Sequence, residues 1–196
     1  MTTTKIFLAG VLGAVAMFVW TAIAHMALPL GEAGVQNTMD DEALLAALKA
    51  NVKDKDGLYT YPSMGLGPDA THAQMSEAMK TFPAKLEKNP SGFFLYHPAG
   101  SRPMNMGKFL TIEFVTELLE ALLAVWLLAQ TRIITFGGRL GFVTAAGIMA
   151  AIATNVSYWN WWGFPTVYTA SYMFIQIVGF FLVGLVAAIM FRRVTA

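Results

Sequence analysis

Four stretches of this chain stay apolar for about twenty residues each, the length a bilayer-crossing helix needs, and nothing else limits its fold as tightly. In hydrocarbon every peptide N–H and C=O must find a partner within the protein, so stretches of this kind become spanning helices. The expected fold class is an all-α membrane protein with four transmembrane helices, at 1–30, 108–131, 138–158 and 168–193. A small α+β insert at 31–107 separates the first helix from the second, and an aromatic loop at 159–167 joins the third to the fourth. The composition agrees: 56% of the residues are hydrophobic and only 13% charged, far more apolar than a soluble domain. Lys5, the apolar run behind it and Ala22-Ile23-Ala24 also imitate a secretory signal. Of the two readings, an uncleaved anchor is expected.

Orientation follows from the basic residues. Lys5 precedes the first span, Arg132 and Arg139 lie between the second and third, and Arg192-Arg193 close the fourth. Both termini are therefore expected in the cytoplasm, with 31–107 on the other side. In a bacterium that means an inner-membrane protein with a periplasmic insert. Tyr158, Trp159, Trp161 and Trp162 crowd the outer end of the third span, where amphipathic rings favour the interface. An aromatic platform for a quinone or a lipid headgroup is the competing reading of that cluster.

The insert is patterned rather than a linker. Asp40 or Asp41 is placed to cap a helix through 41–53, and Thr71 to cap a second that Pro83 is expected to break. Each helix is followed by an aromatic stretch, GLYTYP and GFFLYHP, and these two are expected to pair as strands. Two strands alone are marginal, so the insert is expected to rest on other protein.

Three acids break the second span. Glu113, Glu117 and Glu120 are spaced i, i+4, i+7 and share one helix face. At 1.5 Å per residue Glu120 stands about 18 Å from Arg132, near the midplane of a roughly 30 Å hydrocarbon core. A carboxylate there costs about 2.5 kcal/mol or more even on the lenient insertion scale. The face must turn to other helices, to water or to a partner, or else hold protons. No Lys or Arg lies at that depth, which leaves His25, Asn155, Gln176 and the hydroxyls of Thr116 and Tyr172 as company.

Function classes narrow by absence of motif. With no cysteine there is no thiolate metal site or iron–sulfur cluster. A net charge of +1 and no basic patch argue against nucleic acid. His25 with a glutamate could take zinc or iron, but a histidine bonded to backbone is the commoner arrangement. Cofactors stay unassigned. The small residues of the third span (Gly141, Ala145, Ala146, Gly147, Ala150, Ala151, Ala153), with Gly10, Gly13 and Ala14 on the first and Gly179 and Gly184 on the fourth, suit close helix packing. The leading expectation is a non-catalytic accessory or scaffold subunit, with the bilayer, other membrane subunits or a second copy as partners. The alternative is a proton-linked transporter or channel using the glutamates; a metal- or quinone-dependent membrane enzyme comes third.

Overall fold

The computed structural model describes residues 2–52 and 54–192. Met1, Lys53 and 193–196 lie outside the described residues, and with them Arg193, the last residue of the expected fourth span. The chain divides into two compact units, Met1–Gln36 with Asn105–Ala196, and Asn37–Met104.

The first unit is a bundle of four long helices: α1 (Thr3–Met26), α4 (Met106–Ala129), α5 (Phe136–Trp162) and α6 (Thr166–Met190). Three of them, α1, α5 and α6, are long and apolar enough to cross a membrane, with mean hydropathies of 2.3, 1.6 and 2.5. The fourth, α4, has the length, 24 residues, but its apolar run carries the three glutamates. Packing is unequal. Helix α1 lies along both α4 and α6, and α6 along α5, whereas α4 and α5 barely meet.

Small residues let the backbones close, as the spacing of glycine and alanine implies. Ala9, Gly10, Gly13 and Ala14 of α1 are buried, and so are Gly179, Gly184, Ala187 and Ala188 of α6. Of the small residues on α5 only Gly147 and Ala151 are buried; Gly141, Ala145 and Ala153 face outward. At Gly147 the approach leaves no room for a side chain, since a Cβ there would stand 2.3 Å from Phe180 Cβ.

One end of the bundle is sealed by an arginine. Arg139, in the first turn of α5, is only 6% exposed. Its Nη1 donates to the Phe191 carbonyl at 2.5 Å and its Nε to the Ile133 carbonyl at 3.2 Å. A cation is thereby brought to the C-terminus of α6, the negative end of that helix dipole. In return Arg192 lies over the Phe136 ring, 5.0 Å from its centroid.

Two boundaries differ from the sequence expectation. Helix α5 runs on to Trp162, so Trp159 to Trp162 are helical and only 163–165 connect it to α6. Nothing before Gly163 stops the helix; Gly163 does, at φ 68°, a left-handed cap that glycine adopts without strain. Residues 31–36, expected in the insert, belong instead to the helical unit. Ser171 Oγ donates to the Leu30 carbonyl at 2.7 Å, and the Tyr172 hydroxyl to the Gly31 carbonyl at 3.3 Å.

The second unit holds α2 (Asp41–Asn51), β1 (Gly57–Tyr61), α3 (His72–Lys88) and β2 (Gly92–Tyr96). Asp40 caps α2 by accepting from the Ala43 N–H at 2.9 Å. Thr71 caps α3 in a reciprocal pair: the Gln74 N–H donates to its hydroxyl and its own N–H to Gln74 Oε1. The two strands pair antiparallel with Tyr59 opposite Phe94, their rings stacked at 5.6 Å. Pro83 does not break α3. It forfeits one hydrogen bond, to the Met79 carbonyl, and the good helix formers Ala84 to Lys88 carry the helix past it. No described residue of this unit is buried.

Candidate functional site

A cleft opens in the helical unit where α4 and α5 fail to meet. Helix α4 buries nothing before Glu117, and α5 buries nothing after Ala151. Beyond those two positions the helices part, and α1 and α6 form the floor between them. The space is about 870 Å³, within the range of small-molecule sites. All six polar residues singled out from the sequence (His25, Glu113, Glu117, Glu120, Asn155 and Gln176) line it.

One wall is acidic. The i, i+4, i+7 spacing turns all three glutamates toward the cleft, but burial grades sharply along the row. Glu113 is exposed, Glu120 is half-buried, and Glu117 is only 4% exposed. The Thr21 hydroxyl of α1 donates to Glu117 Oε1 at 2.5 Å. The other oxygen, Oε2, is buried and has no hydrogen-bond partner among the described residues. An unsatisfied buried oxygen costs about 1–3 kcal/mol, more when the group is charged. Native proteins retain few such groups, so this one calls for an explanation.

The opposite wall is neutral and polar. Asn155 Nδ2 donates to the Ala151 carbonyl at 3.0 Å and to the Thr154 hydroxyl at 2.8 Å, and that hydroxyl lies 3.1 Å from Gln176 Oε1. The Thr154 hydroxyl thus links α5 to α6, while Asn155 bonds within α5. His25 sits at the open end, its Nδ1 2.9 Å from the Thr21 carbonyl and its ring edge-on to Tyr172 at 6.0 Å. From Tyr172 a chain of ring contacts continues through Tyr168 and Phe164 to Tyr158, with centroids 4.5, 5.4 and 5.5 Å apart. The aromatic cluster thus has two parts. Tyr158 joins this chain, while Trp161 remains 80% exposed. Trp159 donates to the Thr166 hydroxyl at 3.1 Å, pinning α5 to the start of α6.

Between the polar groups the lining is apolar, with Met17 and Phe18 from α1, Phe109 and Leu110 from α4, and Ile175 from α6. No lysine or arginine contributes. Among the described residues no three His, Asp or Glu side chains come close enough to share a metal ion. Sequence reasoning singles out neither Thr21 nor Thr154, the two hydroxyls on which the walls depend. The only signal for either is a hydroxyl one turn from a residue already under suspicion: Thr21 is four before His25, and Thr154 adjoins Asn155. The chain matches no known protein family, no curated protein and no solved structure.

Proposed function

We propose that the chain is an integral membrane protein of four spans that uses this cleft to bind a small solute and exchange it for protons, with Glu117 as the group both compete for. The observation that carries this reading is the Glu117 carboxylate at the cleft lining, 4% exposed, bonded through one oxygen and buried without a partner among the described residues at the other. Titratable neighbours facing it are Glu113 and Glu120 on its own helix, His25 on α1 and Tyr172 on α6; α5 adds none to the lining. A packing role alone would favour the opposite arrangement, with both oxygens satisfied across helices. The decisive experiment uses the protein reconstituted in vesicles with an internal pH-sensitive dye. Glu117→Gln is expected to reduce proton flux to the rate of empty vesicles, and flux equal to the wild type would end this reading.

Support for α4 as a fourth span comes from its outward face. Ile112, Val115, Leu119, Leu123 and Trp126 are 46–59% exposed, matching the apolar outer faces of α1, α5 and α6. A face of this extent is not left against water in a soluble monomer. The basic residues keep both termini cytoplasmic and the insert outside. Because the chain has no cysteine, Ser63→Cys is expected to react with an impermeant maleimide on intact cells. Thr2→Cys is expected to react only after permeabilisation.

The insert favours the second reading, an accessory subunit of a larger membrane complex. No described residue of 37–104 is buried, and Leu58, Tyr61 and Leu95 on its strands are each about half exposed or more. Such a unit gains stability by covering those side chains with a partner. Co-purification of other subunits in stoichiometric amounts supports this reading; a single active species counts against it.

A further inference from the structure

The chemistry of the cleft walls constrains what enters it. We infer that the ligand is an amphipathic organic cation, its charged centre held by Glu117 and its apolar body lying against Met17, Phe109 and Ile175. The inference rests on the cleft being a binding site, as proposed above, and adds the class of molecule bound.

Charge decides the first half. Three carboxylates line the cleft, with no lysine or arginine to offset them. His25, the one side chain there that could become cationic, stands at the open end with Nδ1 against the Thr21 carbonyl. An anionic solute meets repulsion from these three carboxylates, whereas a cation is attracted to them and can draw on Glu117, whose buried Oε2 has no partner among the described residues. On the opposite wall the amide and hydroxyl groups of Asn155, Thr154 and Gln176 are engaged with one another. Glu117 is the lining group that is buried with one oxygen left unmatched among the described residues.

Shape and polarity decide the second half. A bare inorganic cation is bound by several oxygens or nitrogens converging at about 2–2.6 Å. Here no three acidic or histidine side chains among the described residues converge that way. Along the helix axis Glu113 and Glu117 are about 6 Å apart and Glu117 and Glu120 about 4.5 Å, so each faces a different level of the cleft. A space of about 870 Å³ is far larger than an ion or a water molecule needs. Most of its surface is apolar, which an inorganic ion with its hydration shell leaves unused and an apolar body covers. The Phe109 and Tyr172 rings on that surface also attract a desolvated cation through their faces. A neutral lipid tail would fill the same walls but has no use for the carboxylate, and this separates the two occupants experimentally.

The test is equilibrium dialysis of radiolabelled tetraphenylphosphonium against the full chain in phosphatidylcholine nanodiscs. Saturable binding is expected, weakened about tenfold or more by Glu117→Gln. Glu117→Asp, which keeps the charge, is expected to retain more of the binding than Glu117→Gln, excluding misfolding as the cause of the loss. Neither tetramethylammonium nor sodium, which lack the apolar body, is expected to displace the probe at matched concentration. Absence of saturable binding, binding unchanged in Glu117→Gln, or displacement by either small cation overturns the inference. The two proposals fail separately. Glu117-dependent proton flux without tetraphenylphosphonium binding removes the ligand class and leaves the function standing. Glu117-dependent binding without proton flux does the reverse.

Discussion

At the Arg139 end of the bundle the four helices close on one another, while at the His25 end α4 and α5 separate and leave the cleft. Both ends bury an ionisable side chain on a helix facing its neighbours, Arg139 at 6% exposure and Glu117 at 4%. Their treatment is opposite. Arg139 spans two carbonyls and neutralises the end of α6, with Val143, Val183, Ala187 and Leu128 filled in around that half of the bundle. Glu117 receives one hydroxyl and nothing else among the described residues. The difference teaches that a buried charge is not by itself a sign of function. Arg139 is explained completely by what it holds together; Glu117 is left over once packing has been explained.

Substitutions can break that contrast. The largest effect is expected at Arg139→Ala, which strands the Phe191 and Ile133 carbonyls at the closed end. A loss of about 3 kcal/mol is expected, read as a lowered thermal midpoint in detergent. A midpoint unchanged from the wild type would mean that the arginine does not seal the bundle. Next comes Gly147→Ala, also at the closed half. Alanine gains up to about 1 kcal/mol in helix propensity, but its Cβ must displace Phe180 at a backbone-fixed position, so a net loss of about 1–2 kcal/mol is expected.

The sign reverses at Glu117→Leu. Removing a buried carboxyl with one unsatisfied oxygen is expected to stabilise the bundle by roughly 1 kcal/mol, while Thr21 turns its hydroxyl to its own helix. Higher stability with lost flux would mark the glutamate as retained for function; lower stability would return it to the packing residues. The smallest effect belongs outside the bundle. Thr71→Ala removes the cap of α3 at a cost of about 1 kcal/mol or less. Faster amide exchange confined to 72–88, with the bundle unaffected, is the expected result.

Some of this was legible from residue order. Capping depends on side chains three positions apart, so Thr71 is legible directly and the first cap narrows to Asp40 or Asp41; Thr71 and Asp40 are the caps the structure shows. Strand pairing of the two aromatic stretches is legible for a similar reason, since each is a short aromatic run bounded by turn residues. Pro83 stays within the helix, against expectation, because one missing hydrogen bond is weighed against the propensities around it, and a single residue type does not reveal that balance. The end of α5 is not legible because the tryptophans suit an interface whether or not they are helical.

The sequence by itself determined the apolar helices, the insert with its two caps, and the placing of three glutamates on one helix face, because these follow from local spacing and composition. Tertiary structure alone decided that α4 and α5 part above Glu117, that Thr21 reaches one carboxylate oxygen and leaves the other unmatched, and that Arg139 is a structural clamp. Each of those outcomes depends on which helix stands beside which. That choice is made by the fit of small and large side chains across distant segments, such as Gly147 against Phe180, and no local pattern in the chain encodes it.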